Sequence, residues 1–181
     1  MKFSRAEIPD VITIEPDVFS DDRGYFFESF KQNELNEFLG YHLNFCQDNE
    51  SKSTYGVLRG LHYQEPPFAQ AKLVRVIQGS VLDVAVDIRK DSPTFGKHIA
   101  IELNDQNKKQ LFIPRGFAHG FVVLSETAIF SYKVDNYYNR EFDEGIAFDD
   151  KALNINWRIK KNDIKISHKD MNHLPLERIS R

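Results

Sequence analysis

Short runs rich in Val, Ile, Leu, Phe and Tyr recur along the chain, separated by turn residues. Runs of this length and composition indicate β-strands, and few of them are joined to the next by a helix-like pattern. An α/β sheet needs such helices, so the pattern favours an all-β fold, a sandwich or jelly-roll β-barrel with a few short helices. The predicted strands are Val11–Glu15, Gly24–Phe30, Leu43–Asp48, Val57–Gln64, Leu73–Gln78, Val81–Ile88, His98–Leu103, Gln110–Ile113, Ala118–Val123 and Ala128–Val134.

Two segments differ from the β pattern. Lys31–Gly40 carries its apolar residues on one side and ends at a glycine, which is typical of a capped helix. A shorter helix is predicted at Asp149–Leu153. The chain of 181 residues has no internal repeat or linker and has room for one sizeable core. We therefore expect a single domain over residues 1–181.

Charge and cysteine content exclude several classes of partner. The chain has 24 basic and 27 acidic side chains, a formal net charge of -3, and so no overall attraction to nucleic acid or to an anionic membrane. Cys46 is the only cysteine, which excludes an internal disulfide and suits a reducing compartment. No signal-peptide core is recognisable, and no apolar run approaches the roughly 20 residues of a membrane span. We expect a cytoplasmic protein.

The run VLDVAVDIR indicates what the interior of the barrel contains. In a strand, Leu82, Val84 and Val86 share one face, and Asp83 and Asp87 share the other. Asp87 lies near the end of the strand and is expected to face water. Asp83 lies in the middle of the strand, so the pattern leaves open whether it faces solvent or the barrel interior.

The run GVLRGLHYQ places an Arg and a His in a short apolar strand. Strict alternation would put Arg59 and His62 on opposite faces. Gly60 lies between them and is the residue type that permits a β-bulge. We predict a bulge that turns both side chains toward one pocket. Taken alone, a strand histidine is more often a hydrogen-bonded core or surface residue than a catalyst.

A second histidine lies in FIPRGFAHGF. The spacing of Pro114, Gly116 and His119 matches the second of the two cupin motifs, whose histidine is often a metal ligand. The first motif needs a His-x-His pair and a downstream Glu, and its nearest equivalent here, starting at His62, lacks the second histidine. Zinc and iron need three or four N, O or S ligands. A metal-dependent cupin, such as a dioxygenase, is therefore the less favoured hypothesis.

Several separated motifs agree in order with one known family. The runs DDRGYFFESF, QDNESKSTYGVLRGLHYQ, AKLVRVIQG, VAVDIRKDSPTFGK, IPRGFAHGF and YKVDNYYN resemble the dTDP-4-dehydrorhamnose 3,5-epimerase family. The resemblance extends from about Ile8 to about Asp170. It implies a cupin-type barrel without a metal or other cofactor. It also implies a dTDP-linked 4-keto-6-deoxyhexose as substrate, whose protons at carbons 3 and 5 are acidified by the carbonyl at carbon 4.

The resemblance also implies catalytic roles. His62 is the expected base, since free imidazole has a pKa of about 6.5 and accepts protons at neutral pH. Asp170 matches the carboxylate that orients it. Tyr132 matches the acid on the opposite face of the sugar, and its strand places it on the same face as Phe130. Lys72 matches the lysine that stabilises the enolate, with His119 close by.

Further residues match substrate-binding positions of the family. Arg59 and Arg23 match residues that hold the pyrophosphate, for which guanidinium groups are well suited. The nucleotide end is expected to contact Glu28, Gln47 and Asn49.

The resemblance leaves some assignments open. This chain reads NREFDEGI where many family members have a Glu near the sugar, so either Asp143 or Glu144 is expected to make that contact. Lys169, beside the orienting carboxylate, is expected to bind substrate. Tyr137 and Tyr138 are alternative candidates for the acid.

The expected activity is inversion of carbons 3 and 5 of dTDP-4-keto-6-deoxyglucose through an enolate. A relative that inverts only one centre remains an alternative, as does a barrel that binds dTDP-sugars without turnover. The family is dimeric, with amino-terminal strands exchanged between subunits. We therefore expect a homodimer, which would cover exposed amino-terminal strand edges and could bring Arg23 and Glu28 to the neighbouring site.

Overall fold

The computed structural model describes residues 1–179, in fourteen strands and a few short helices. The strands are β1 (Lys2–Arg5), β2 (Ile12–Glu15), β3 (Phe19–Asp21), β4 (Gly24–Phe26), β5 (Gln47–Thr54), β6 (Val57–Gln64), β7 (Lys72–Gln78), β8 (Ser80–Asp87), β9 (His98–Asn104), β10 (Gln110–Ile113), β11 (Phe117–Val123), β12 (Thr127–Val134), β13 (Asp143–Gly145) and β14 (Lys165–Ile166). The α-helices are α1 (Gln32–Leu39), α2 (His168–Met171) and α3 (Leu176–Ile179), and 3-10 helices span Arg140–Phe142 and Lys161–Asp163. No helix within residues 1–179 has the length and apolar character needed to cross a membrane.

Two six-stranded sheets form the barrel. The first has the order β1-β2-β10-β7-β12-β5. The second has the order β13-β6-β11-β8-β9, with β14 parallel to β6, while β3 and β4 form a separate hairpin. Consecutive strands such as β5 and β6, or β7 and β8, lie in different sheets, as in a jelly roll. The predicted all-β, cupin-type jelly-roll fold is confirmed.

Apolar side chains from the facing sides of the two sheets fill the space between them. Phe130 on β12 stacks on Phe121 on β11 with ring centroids 4.2 Å apart. Val74, Val81 and Leu111 belong to the same cluster and are fully buried. Burial of each such side chain contributes about 1.5–3 kcal/mol. This cluster fixes the two sheets against each other.

Helix α1 covers the outer face of the first sheet. Its Leu35 is buried together with Leu73 and Phe112 of the sheet. Gly40 ends the helix in the left-handed conformation, with φ 77°, and its N–H closes the last turn. The helix predicted at Lys31–Gly40 is therefore confirmed.

The outer face of the second sheet is covered by the carboxyl-terminal part of the chain. Leu82, Val84 and Val86 on β8 pack in one cluster with Trp157 and Leu176. Strand β8 is therefore buried on both faces.

The two carboxylates of β8 are both fully buried. The prediction that Asp87 faces water is wrong. Its carboxylate accepts hydrogen bonds from the side chains of Arg89, Ser92 and Thr94 in the turn that follows the strand. These bonds offset the cost of burying a charge. Asp83, whose position the pattern left open, faces the barrel interior.

Three other predictions differ from the structure. The strand expected at Leu43–Asp48 is wrong, because β5 begins only at Gln47 and is a polar strand without an apolar repeat. The residues of the helix expected at Asp149–Leu153 form turns instead. The run Gly24–Phe30 is a strand only in its first part, β4. The single domain over residues 1–181 stays a prediction, and its last two residues lie outside the described ones.

The pairing of β6 with β11 slips by one residue at the predicted bulge. His119 pairs with His62, but Phe121 pairs with Arg59, so β6 contains one residue more than its partner over this stretch. Gly60 lies inside that stretch with φ 120°. As a result, the side chains of Arg59 and His62 reach the same cavity, and the predicted bulge is confirmed.

A glycine pair allows this bulge. A Cβ atom on Gly60 would lie 2.6 Å from the Cα of Gly120 and 2.7 Å from the carbonyl oxygen of His119. A Cβ atom on Gly120 would lie 2.6 Å from the carbonyl oxygen of Arg59. The two backbones are in direct contact, so neither position has space for a side chain.

Substitution of Gly60 is expected to destabilise the fold. Gly60→Ala adds backbone strain at positive φ and a steric clash with Gly120, and should lower the free energy of unfolding by about 3 kcal/mol or more. Gly24→Ala is the matched control, since Gly24 has φ 126° but nothing within 4 Å of its Cβ position. That variant should lose only about 1–2 kcal/mol. Equal losses in denaturant unfolding would contradict the role of the close contact.

Candidate active site

A cavity of about 550 Å³ opens beside the bulge of β6. Its wall includes five of the predicted site residues, namely Arg59, His62, Asp143, Lys169 and Asp170. Cavities of about 740 and 790 Å³ lie elsewhere on the described chain, and of the candidate catalytic and binding residues only Tyr137, an alternative acid, lines one of them. The predicted chemistry therefore belongs to the cavity beside β6 rather than to these two larger cavities.

His62 is held by the carboxylate of Asp170. The Nε2 atom of His62 lies 2.9 Å from Oδ1 of Asp170. The other carboxylate oxygen accepts the Gly60 N–H at 3.2 Å. Ser167 caps the short helix α2 by accepting the Asp170 N–H at 3.1 Å. The bulge and the helix cap together fix the carboxylate, and the carboxylate fixes the imidazole.

The charge of Asp170 determines the tautomer of His62. Burial alone would raise the pKa of Asp170, but the hydrogen bond and charge of His62 and the bonds from Gly60 and Ser167 lower it to about 2. An ionised carboxylate can only accept a hydrogen bond. Nε2 of His62 therefore carries the proton, and Nδ1 is the ring atom that can accept another.

His119 and Asp83 form a second histidine–carboxylate pair. Nε2 of His119 lies 2.9 and 3.0 Å from the two carboxylate oxygens of Asp83. His119 is the cross-strand neighbour of His62. Burial lowers the pKa of His119, with Asp83 acting in the opposite direction. The partner of Asp83 is thus His119 and not His62.

Lys72 opens strand β7 close to these pairs. Burial lowers the pKa of Lys72 to about 8, although the charges of Asp143 and Asp83 act to raise it. Its charge in turn lowers the pKa of His119. No hydrogen bond or ion pair engages the Lys72 ammonium within residues 1–179, so its donors are available to a ligand.

Tyr132 faces inward from β12, as predicted. It packs on the core cluster beside Phe130, with ring centroids 6.1 Å apart. Burial raises the pKa of Tyr132, and the charge of Asp143 raises it further, while Arg59 acts in the opposite direction. The phenol therefore stays protonated at neutral pH and can donate a proton.

The structure distinguishes between the two acidic residues that the sequence left open. Asp143 lines the cavity and accepts hydrogen bonds from Tyr138 at 2.9 Å and from Lys169 at 2.6 Å. Glu144 is exposed and does not line the cavity. Of the two rival tyrosines, Tyr138 lines this cavity, whereas Tyr137 lines the separate cavity of about 790 Å³.

The predicted nucleotide-binding residues of β5 lie at the edge of this site. Asn49 is directly opposite Tyr132 in the sheet. Gln47 donates to Asn49 at 2.9 Å and accepts the Tyr138 N–H at 3.5 Å. Arg59 on β6, the next strand along the chain, donates a hydrogen bond to Ser53 on β5 at 3.1 Å.

Arg23 and Glu28 do not reach this cavity within one chain. Arg23 pairs with Asp21 in the β3–β4 hairpin, and its side chain is 90% exposed. Glu28 pairs with Lys31 at the start of α1. The structure therefore separates these two residues from the other predicted site residues.

One residue of the site escaped the sequence analysis. His173 lies at the edge of the His62 ring with centroids 5.7 Å apart, and its Nε2 atom is 3.7 Å from Oδ1 of Asp170. Burial lowers the pKa of His173, and the charge of His62 lowers it further. The only available signal was its spacing of three residues from Asp170.

The fold and the site together define a class of protein. An oriented imidazole base lines the cavity of a cupin-type barrel, and a partly buried phenol and a desolvated lysine both interact with the charge of Asp143 in the same cavity wall. These are the groups of an enzyme that moves protons by general acid–base catalysis.

Comparison with known proteins gives the family. The sequence model of the dTDP-4-dehydrorhamnose 3,5-epimerase family matches residues 5–178. An enzyme of that name from Shigella flexneri is 55% identical over 172 residues, which cover 95% of this chain and 94% of the relative. The chain belongs to the dTDP-4-dehydrorhamnose 3,5-epimerase family.

Solved structures agree with this membership. The crystal structure of dTDP-4-dehydrorhamnose 3,5-epimerase from Elizabethkingia anophelis NUHP1 has a TM-score of 0.96 and 50% identity, covering 100% of this chain and 99% of that one. A dTDP-6-deoxy-D-glucose-3,5-epimerase from Legionella pneumophila Philadelphia 1, in complex with dTDP-4-keto-L-rhamnose, has a TM-score of 0.94 and 45% identity, covering 97% and 93%.

The charge of Lys72 is expected to govern turnover at alkaline pH. Lys72 is a cation below its pKa of about 8 and neutral above it, so kcat should fall as the pH rises through 8. Lys72→Arg should move this fall to higher pH, because a guanidinium stays charged, and Lys72→Met should lower kcat by about 100-fold or more. Kinetics between about pH 6 and pH 10 would measure this.

Lys133→Met is the control for this profile. Lys133 pairs with Asp48 on the surface, with Nζ 2.9 Å from the carboxylate, and its loss should leave the alkaline fall in place. An unchanged fall in the Lys72→Arg variant would contradict the assignment to Lys72.

Proposed function

We propose that this protein inverts carbons 3 and 5 of dTDP-4-keto-6-deoxyglucose to give dTDP-4-keto-L-rhamnose, without a cofactor. The observation that carries the proposal is the His62–Asp170 pair in a cavity whose Arg59 and Asp143 interact with the partly buried Tyr132. A base and an acid of this kind are what inversion next to a ketone requires. Membership of the epimerase family supports the same conclusion.

The reaction at each centre is two proton transfers. Nδ1 of His62 takes the proton from the carbon, and the electron pair moves into the carbonyl to give an enolate. Tyr132 then donates its phenolic proton to the opposite face of the same carbon, and the carbonyl re-forms. His62 returns its proton to solvent and Tyr132 regains one, so the protein ends unchanged.

The enolate oxygen needs positive charge at the moment it forms. Lys72 is the proposed donor, because its ammonium lies in a desolvated setting where electrostatic stabilisation is strong. His119, held by Asp83, is proposed to contact the same part of the sugar. Because the pKa of Lys72 is lowered, Lys72 loses its positive charge, and with it the proposed stabilisation of the enolate, at moderately alkaline pH.

The rest of the substrate is proposed to bind along the edge of the cavity. Arg59 would hold the pyrophosphate, and Gln47 and Asn49 would contact the nucleotide. Asp143 and Lys169, which pair with each other at 2.6 Å, are proposed to contact the sugar. Glu144 has no place in this proposal, because it is exposed and outside the cavity.

Proton NMR of dTDP-4-keto-6-deoxyglucose in deuterium oxide tests this function. We expect the signals at carbons 3 and 5 to disappear as product with both centres inverted accumulates. Loss of only one signal would identify a single-centre epimerase. Persistence of both signals with a folded protein would overturn the catalytic proposal and favour binding without turnover.

Variants separate the two proton transfers. Tyr132→Phe should still exchange substrate protons for deuterium, because His62 remains, while inversion falls by about 100-fold or more. His62→Asn should lose both exchange and inversion. Tyr137→Phe, at an exposed tyrosine, should keep both. Inversion at the wild-type rate in the Tyr132→Phe variant would contradict the role of Tyr132 as acid.

We also propose a homodimer with exchanged amino-terminal strands, acting in the cytoplasm. The β3–β4 hairpin exposes Phe19, Tyr25 and Phe26 by 64%, 58% and 66%, a surface suited to burial against a second subunit. Arg23 and Glu28 lie on or beside this hairpin, outside the cavity of their own chain. Docking of the hairpin on the partner would carry them toward its cavity.

Light scattering and complementation test this assembly. The mass should be twice the 21.1 kDa of one chain. Arg23→Ala and His62→Asn variants should each be nearly inactive, but co-refolding them in equal amounts should restore about one quarter of wild-type activity, since half of the dimers then contain one intact site. A single-chain mass, or a mixture no more active than its components, would contradict shared sites.

A further inference from the structure

His173 is a largely buried side chain whose Nε2 atom has no hydrogen-bond partner. Its side chain is 9% exposed, and its Nε2 atom is the buried side-chain nitrogen or oxygen within residues 1–179 that lacks a hydrogen bond. The ring occupies space that Gly145 leaves free, because a Cβ atom there would lie 2.3 Å from that nitrogen. Buried polar atoms normally have a hydrogen-bond partner. This nitrogen is therefore a candidate to bind a ligand.

The unsatisfied nitrogen points at the His62–Asp170 pair. Nε2 of His173 is 3.7 Å from Oδ1 of Asp170, which is itself 2.9 Å from Nε2 of His62. One potential ligand atom from each of the three side chains lies within 4.8 Å of the other two. Ligand atoms around a tetrahedral zinc ion, with bonds of about 2.0–2.1 Å, are about 3.4 Å apart. Small rotations of the two rings would bring the three atoms to that spacing.

The types of donor atom in these three side chains indicate which class of ligand they can bind. Two imidazole nitrogens and one carboxylate oxygen form a set that zinc accepts and that magnesium and calcium, which prefer oxygen ligands, do not. The side chain of His62 is 33% exposed and lines the cavity, so a fourth position is open to water or another small ligand. Asp170 and His173 are nearly buried, which would hold the ion at the cavity wall.

We propose that His62, Asp170 and His173 form an inhibitory site for Zn²⁺ or a similar transition-metal ion, and we call them the His–Asp–His triad. This site differs from the metal centre of metal-dependent cupins, because it does not use His119. The ion is an inhibitor and not a cofactor, since it occupies the residues that the proposed reaction needs.

The positions of the ring protons before and after metal binding explain the inhibition. Neutral His62 carries its single proton on Nε2, facing Asp170, and leaves Nδ1 free as the base. A metal bound to Nε2 displaces that proton, and the neutral ring then carries it on Nδ1. Asp170 exchanges its hydrogen bond for a metal bond and stays ionised. No proton is gained or lost, but the base has become unable to accept one.

Binding of the metal alone gives the direct test. Titration of the wild-type protein with Co²⁺, followed by visible absorption, and with Zn²⁺, followed by calorimetry, should give one site per chain. His173→Gln should weaken binding by at least about tenfold, because it removes one of three ligands. His168→Gln is the matched control, since His168 is an exposed histidine of the same segment and lies outside the triad, and it should leave the affinity unchanged.

Activity measurements complete the test. Zn²⁺ should abolish wild-type turnover at concentrations that saturate the site, Mg²⁺ should not, and a chelator should restore it. The binding experiment needs no substrate, so its outcome does not depend on the proposed function. Absence of saturable binding, equal affinity of wild type and His173→Gln, or an equal loss in His168→Gln would overturn the proposal.

Discussion

The close contact between the backbones of Gly60 and Gly120 is the constraint on which the pocket depends. It allows the one-residue bulge in β6, and the bulge brings Arg59 and His62 to one cavity. It also directs the Gly60 N–H at Asp170, so the same backbone feature helps to hold the carboxylate that orients the imidazole. A side chain at either glycine would disturb His62, Asp170 and Arg59 together.

Burial then adjusts the chemistry of each group in a different direction. It keeps Tyr132 protonated, lowers the pKa of Lys72 to about 8 and favours neutral His119. For Asp170, hydrogen bonds outweigh burial and keep the group ionised. The pocket and the residues around it thus provide a neutral acid, a cation that is easily neutralised and a fixed anion, which is the distribution that the proposed reversible deprotonation of carbon needs. Nε2 of His173 is also buried, without a hydrogen bond and 3.7 Å from Asp170, and the metal site is proposed there.

Much of the fold and part of the site could be predicted from the sequence. Strands such as β6, β7 and β12 were predicted because their apolar residues recur locally, and the bulge followed from Gly60 between two functional residues. Strand β5 was misplaced because a polar strand lacks that local pattern. The pairing partners of the buried carboxylates could not be predicted from the sequence either. Asp83 and Asp87 look alike in VLDVAVDIR, yet one pairs with a histidine on the next strand and the other with its own turn.

The sequence by itself determined the β architecture, the family and the residue types available for acid–base chemistry, because these depend on local pattern and on ordered motifs. Only the tertiary structure decided which of those residues meet. It brought Asp170 to His62 from 108 positions away, selected Asp143 over Glu144 for the cavity, and left Nε2 of His173 buried without a hydrogen bond. These outcomes depend on the packing of the carboxyl-terminal segment against β6, a long-range contact that no local pattern encodes.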